Sequence, residues 1–533
     1  MPMIALIILA GGFFIIKNIQ SENEIFDPQK YYENKVDLLS DKTPLKTTKL
    51  ATIQVPLDQT TDSELRILFG PNGNKVLYVI KKDGKGAVVI NDIVGKWYDS
   101  IVYPKPLFNP NTDEEIYLAS DSGKQFIVVG SKEGKHYDNI QKANSNSLLA
   151  VSEDFQKTAY IARNDGKSFI VTGDKEGPHY FDLALPVFNK DGSKLVYVAG
   201  HRNKTSSILV NNQEIDSSYL ILNPQFGPNG EKLIYFACEP SITRWSVNCS
   251  LIIDGKKYRT FNVSDEGILY GIALGYFDPV ISRDSKRIAY YTTKGNKTVV
   301  IVDGEEGLPY DYTSKLILSP DEKKIVYLAH NDDEKEFVVV INGKEEKKHN
   351  GRAQDPLIVP PLFSPDSKKL AYVVTKYSDS FPHYRDYLVV NGEEKGPYDH
   401  VSEVLFSPDS SEVVYVAERE VEGGGEPGSS TILYENVPAG QPASYTLKYF
   451  LFRNDQHSKG YNWIHSPSFS PDGKSLAYIV REGNKYSVIV NDRKGKEYDN
   501  ILTKLKFSPD GKYVGYGARL GNELWWVIDE ARI

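Results

Sequence analysis

The chain has 533 residues, of which 25% are charged, a net charge of −8 and two cysteines. That length holds several hydrophobic cores rather than one. The mild acidity, with no Lys/Arg-rich run, argues against a nucleic-acid partner, and two thiols are too few for a disulfide scaffold or a thiolate metal site.

Met3 to Ile16 (MIALIILAGGFFII) is an unbroken apolar run. It has the length of a signal sequence and falls short of the roughly 20 residues that span a bilayer upright. No small-x-small cleavage signal follows in Lys17 to Gln20, and no cysteine offers a lipid attachment point. The run is therefore read as an uncleaved signal anchor over 1–17, with a buried segment of a globular domain as the alternative. An anchor implies a protein of the cell envelope, facing the periplasm or exterior. Lys17 lies on the wrong side for the positive-inside rule, so orientation stays open. Residues 18–48 are polar, carry both signs of charge and read as a tether. Thr47 to Pro56 then alternates like a strand.

From Leu68 onward one unit recurs eleven times. Its closing tyrosines are Tyr78, Tyr117, Tyr160, Tyr197, Tyr235, Tyr290, Tyr327, Tyr372, Tyr415, Tyr478 and Tyr516, and nine residues before each stands an apolar residue, from Phe69 to Phe507. The cleanest copy, Pro467 to Ile501, explains the spacing. In Ser470-Pro471-Asp472-Gly473 the proline presets φ, the aspartate bonds its own backbone and the glycine accepts φ > 0, which makes a tight turn. The flanking runs Leu476–Val480 and Tyr486–Val490 are β-branched and aromatic and too short for helices. A further segment, Gly95-Lys96-Trp97-Tyr98-Asp99 and its copies ending at Asp138, Asp399 and Asp499, reads as a turn into a fourth, outer strand. Four strands in roughly 40 residues make a propeller blade. The expected fold is all-β: a β-propeller of about eleven four-stranded blade repeats. Eleven exceeds the usual four to eight of one ring, so two fused rings are expected, blades 1–5 over 49–275 and blades 6–11 over 276–533; one oversized ring is the alternative. The last repeat lacks an outer strand of its own. The Thr47 region fills that gap, or else the last blade is three-stranded.

With Phe469-Ser470-Pro471-Asp472-Gly473-Lys474 and Phe507-Ser508-Pro509-Asp510-Gly511-Lys512, the repeats resemble the TolB-type (WD-like) β-propeller family from Leu68 to the C-terminus. The resemblance implies the fold and an envelope location. It implies little about function, because such propellers serve as scaffolds, ligand binders and enzyme accessory domains.

Catalytic signatures are missing. There is no Gly-x-Ser-x-Gly elbow, Gly166-Lys167-Ser168 and Gly473-Lys474-Ser475 lack the earlier glycine of a phosphate loop, and the nine histidines show no metal-ligand spacing. No catalytic residue, metal or cofactor is assigned. Cys238 and Cys249 align with Arg481 and Tyr486, a pair flanking the second hairpin loop, so they are expected to face each other across two antiparallel strands within reach of a disulfide, with two independent buried thiols as the alternative. Only an oxidising compartment would keep that bond. The extra residues of the longer repeats fall between strands two and three and between blades, which puts them at one end of the blades. There they carry Arg244, Trp245, Tyr377, His383, Tyr384, Arg385, Tyr461 and Trp463. Aromatic and arginine side chains on loops of a rigid scaffold compose a binding surface. The reading is a non-enzymatic, membrane-tethered propeller binding a protein or glycan partner. A glycan-acting lyase or hydrolase, with His383, His457 or His465 beside an acid, and a purely structural spacer are the alternatives.

Overall fold

The computed structural model describes residues 47–53, 67–102, 107–141, 149–203, 205–241, 246–264, 279–295, 297–331, 336–350, 352–353, 360–377, 384–422, 431–433, 444–454 and 456–531. These residues form β-strands and turns, without a helix. No helix among them is long and apolar enough to cross a membrane, and the apolar run Met3 to Ile16 lies outside them.

The strands assemble into eleven antiparallel sheets, one per repeat, which follow chain order from first to fourth strand except in blade 9, where Thr431–Leu433 lies outside Ser444–Arg453, and in blade 11. Blade 10 shows the plan: Trp463–Phe469, Leu476–Glu482, Lys485–Val490 and Arg493–Lys494. The Ser-Pro-Asp-Gly turn forms as its residues demand. Ser470 Oγ donates to Asp472 Oδ1 at 2.7 Å, accepts from the Ser475 amide at 2.9 Å, and Gly473 takes φ 71°. The same serine–aspartate bond recurs at Ser152–Asp154, Ser282–Asp284, Ser319–Asp321, Ser364–Asp366, Ser407–Asp409 and Ser508–Asp510. These donors hold the carboxyls of Asp366 and Asp409 down at about 2. The repeated aspartates are turn formers.

One reading needs correction. The turn between strands three and four is not Gly-x-x-Tyr-Asp but the two residues before the fourth strand. Asn91-Asp92 and Asn491-Asp492 both take positive φ, which suits the right-handed twist of a two-residue hairpin. The glycine lies inside the outer strand of blade 1, where Gly95 falls within Ile93–Tyr98, and directly after it in blade 10, and a Cβ on Gly495 would stand 3.1 Å from the Val488 carbonyl oxygen. The tyrosine that follows folds back, Tyr498 exchanging two 2.8 Å backbone bonds with Tyr486, and leans on the next blade's closing tyrosine. Tyr98–Tyr117, Tyr137–Tyr160, Tyr180–Tyr197, Tyr398–Tyr415 and Tyr498–Tyr516 all make such contacts, with centroids 5.7–6.4 Å apart. The aspartate after it accepts a backbone N–H from the next blade's second hairpin, as Asp99 does from Ser122, Asp138 from Asp165 and Asp499 from Gly521. The tyrosine surplus is inter-blade packing.

By contact the chain divides into two units, one of Gly134–Thr293 with Gly123–Phe126, the other comprising the described parts of Pro28–Ser122, Ile127–Glu133 and Lys294–Ile533. In the first, blades 3 and 4 share a core of Ile161, Ile170, Leu183 and Tyr197, and Phe236 and Phe261 of blade 5 meet Tyr290 of blade 6. The long connection that was expected to separate two rings lies between these contacts, and 265–278 falls outside the described residues. In the second unit, Thr48–Thr52 pairs antiparallel with Glu523–Glu530, Thr48 opposite Trp526 and Thr52 opposite Glu523. The N-terminal strand thus supplies the missing outer strand of blade 11. That blade packs on blade 1 through Leu50, Phe69, Tyr78 and Trp526. A Cβ on Gly517 would stand 2.6 Å from the Phe69 ring, so glycine there lets the two sheets close.

Candidate functional site

Blades that share one plan are informative where one of them departs from it. In blade 2 the third strand carries Gln125, whose side-chain oxygen accepts from the Ile140 backbone amide at 2.8 Å and from the Asn139 side-chain Nδ2 at 3.4 Å. The equivalent places in blades 8 and 9 are Asp386 and His400. Asp386 is buried and accepts from Thr375 Oγ1 at 2.7 Å and from the Val401 amide at 3.1 Å. His400 Nδ1 stands 3.3 Å from its second oxygen. The bond to Asp386 outweighs burial and holds the imidazole above its ordinary range. A neutral amide pair has become a buried carboxylate orienting a half-buried imidazole. That is the arrangement a base and its orienting acid require, and it also serves as a structural ion pair.

The predicted binding residues separate in the structure. Arg244, Trp245 and His383 lie outside the described residues. Tyr377 ends the second strand of blade 8 opposite Tyr384, and the Tyr384 side chain is 57% exposed. Arg385 is ion-paired to Asp399, so it braces the connection between blades 8 and 9. Tyr461 is buried beneath the Lys459 ammonium and belongs to the packing of blades 9 and 10, not to a surface. Trp463, 37% exposed, opens the first strand of blade 10. Cys238 and Cys249 stand opposite each other in the register of blade 5, joined by a disulfide with Cα atoms 4.0 Å apart.

Sequence reasoning missed the neighbourhood of Trp463. Its ring stacks on His465 at 4.1 Å, because residues two apart on a strand share a face. Enclosure lowers the His465 imidazole to about 4, so it is neutral at physiological pH. His465 Nδ1 lies 2.9 Å from Ser466 Oγ. Ser466 takes φ 54° at a bulge and donates its amide to Glu403 Oε2 of blade 9 at 2.7 Å. Glu403, also at positive φ, is solvent-accessible yet crowded by protein, which pushes its carboxyl up against the opposing pull of Ser466 and Lys504. Of the other two histidine candidates, His457 is exposed and packs edge-on to Phe450; His383 was noted above. No group of three potential metal ligands occurs among the described residues. The available signal was internal: blades 4, 5, 9 and 10 have seven-residue first strands, and only blade 10 has rings at its first and third places.

No family model and no curated protein matches the chain. Solved structures do. TolB from Acinetobacter baumannii is 16% identical, with 55% of this chain and 79% of that one covered, at a TM-score of 0.21. The β-propeller domain of the Trilobed protease from Pyrococcus furiosus is 11% identical over 59% and 95% respectively, at 0.28. An oligogalacturonate lyase in complex with manganese is 12% identical over 58% and 97%, at 0.26. TolB and another propeller thus stand among the neighbours, as the Phe-Ser-Pro-Asp-Gly-Lys repeats imply. At these TM-scores the likeness carries no argument, and the fold rests on the eleven sheets themselves.

Proposed function

We propose that the protein is a membrane-tethered, exported propeller that binds a protein or glycan partner through the end of its blades bearing the longer loops. The observation that carries this reading is the contrast between the two ends. The Ser-Pro-Asp-Gly end is nearly uniform and its polar groups are used up in turns, whereas the other end varies and presents exposed Tyr384 and Trp463. Tryptophan and tyrosine on a rigid scaffold are enriched where partners bind. Export is supported by the apolar run Met3 to Ile16 and by the Cys238–Cys249 bond, which a reducing cytosol would not preserve. The test is a glycan-array and proximity-labelling screen on the full chain beside a variant with Trp245, Tyr384 and Trp463 changed to Ala. Partners lost by the variant support the reading; partners that all survive the triple change overturn it.

A second reading, an enzyme acting on glycans, is favoured by the Asp386–His400 pair. Its mark would be turnover abolished by His400→Asn with binding retained. Turnover that survives His400→Asn removes this reading.

A further inference from the structure

Among the seven-residue first strands, the first and third places hold Asp182 and Ala184 in blade 4, Leu220 and Leu222 in blade 5, His400 and Ser402 in blade 9, and Trp463 and His465 in blade 10. In blade 10 alone they make a platform. One face of the indole is backed by an imidazole at 4.1 Å and Tyr486 meets it edge-on at 6.5 Å, while 37% of the residue stays exposed. The imidazole is uncharged at neutral pH, so the platform offers polarizable surface without a cation.

The bulge then brings polar groups to its edge. The left-handed turn at Ser466 aims its amide across the blade seam at Glu403, 2.7 Å away, while its hydroxyl meets His465 at 2.9 Å. One contiguous ledge results: indole, imidazole, hydroxyl and carboxyl, with Lys504 of blade 11 acting on the carboxyl. A ligand matching it needs a flat aliphatic face to lie on the indole and adjacent hydroxyl groups to donate to Glu403 Oε1 and Oε2. A pyranose ring has both: its axial C–H bonds form one face and its vicinal hydroxyls the rim. A peptide aromatic would satisfy the indole but bring no further donors to the Glu403 carboxyl, and an anionic ligand such as a nucleotide would meet Glu403 unfavourably.

We infer that Trp463, backed by His465 and flanked by Ser466 and Glu403, is a saccharide-binding subsite that takes one pyranose ring of a glycan. This rests on the reading of the protein as a binding propeller and names the chemistry of its ligand. Neutral and uronic rings share the stacking face, and Glu403 distinguishes them, since a ring carboxylate would meet it unfavourably.

The test is calorimetric titration of the full chain with cellohexaose, chitohexaose and hexagalacturonate, repeated on Trp463→Ala, Trp463→Phe and, as a control at the opposite end of a blade, Ile93→Ala, an exposed position. Saturable binding of at least one hexasaccharide is expected, weakened at least tenfold by Trp463→Ala, within about fivefold of wild type for Trp463→Phe and unchanged by Ile93→Ala. A measurement on the wild-type protein guards against a misfolded variant: the bound saccharide should protect Trp463 from N-bromosuccinimide oxidation, read by peptide mass spectrometry, and leave Trp97 and Trp525 unprotected. Absence of binding by all three probes at millimolar concentration, undiminished binding by Trp463→Ala, or oxidation of Trp463 unaffected by saccharide overturns the inference. A protein partner lost by the triple variant while no saccharide binds would leave the broader reading standing and remove this one.

Discussion

The hairpin of blade 5 is the one cross-linked place among the described residues, and its contribution follows from loop length. Cys238 and Cys249 are separated by 11 residues in sequence and both are fully buried. Closing a loop of that size removes about 9 cal/mol/K from the opened chain, about 2.8 kcal/mol at 25 °C. Because the bond joins directly opposed strands, this energy acts on local opening of the second and third strands, Leu233–Pro240 and Ser246–Ile253, before it acts on global unfolding. Two double variants bracket the packing change: Ala at both positions leaves a small void and Val slightly overfills it. Native-state hydrogen exchange should then show amides of these two strands exchanging about a hundredfold faster in both variants, the ratio that corresponds to 2.8 kcal/mol. The blade 10 hairpin, where Arg481 and Tyr486 occupy the same register without a bond, should be unchanged. An acceleration below about threefold in both variants, or an equal acceleration in blade 10, would refute the loop-entropy argument.

Three further perturbations test the packing scheme. Trp526→Ala removes a ring at the junction of blades 11 and 1 and should cost about 3–5 kcal/mol, read from the urea midpoint; a loss under about 1 kcal/mol would show that the strand Thr48–Thr52 does not depend on that junction. Tyr516→Phe strips Asp529 of a 2.7 Å donor. Burial already raises the Asp529 carboxyl and Tyr516 opposes that rise, so the loss, about 1–3 kcal/mol at pH 7, should shrink as falling pH protonates Asp529; a loss that is the same at pH 4.5 contradicts this. His400 has a folded-state pKa raised by Asp386, so its ion pair contributes fully below the unfolded value of about 6.5 and is lost as pH rises through the folded value. Urea midpoints of wild type and His400→Asn should therefore differ at pH 5.5 and converge by pH 8.5, and a gap independent of pH would contradict the pairing.

The fold was legible because each blade repeats the same local chemistry. Ser-Pro-Asp-Gly names its own turn, and the period-two apolar runs name the strands on either side. The cysteine pairing was legible for the same reason, since a fixed register lets one repeat be read off another. The Tyr-Asp segment was misplaced because its asparagine–aspartate turn is less conspicuous than its glycine, and nothing in one repeat says that its aspartate serves the next. The ledge was only half legible. Trp463 stood out as an aromatic on a long connection, but Glu403 lies 60 residues earlier, in a strand whose bulge only the paired sheet reveals. Tyr461 stood out equally and turned out to be packing, because an aromatic near a loop and an aromatic under a loop look alike in sequence.

The division of labour between the two ends of a blade has a physical cause. At the Ser-Pro-Asp-Gly end, each turn is tied to the next: the Asp321 amide donates to Ser367 Oγ and the Asp366 amide to Ser410 Oγ, both at 2.9 Å, and Lys369 reaches the Ser410 carbonyl at 2.8 Å. An insertion there would break a bond in its own blade and another in its neighbour. At the opposite end the hairpins are held by a residue of the preceding connection, as Glu420 is by Asp399 at 2.6 Å and Gly483 by Asn462 at 2.7 Å. The chain beyond that bond is free to lengthen at little entropic cost. Recognition is therefore expected where the scaffold imposes least, and the disulfide of blade 5 lies on the second and third strands, which run to that end. It holds the two strands together beneath a hairpin whose length the rest of the blade does not control.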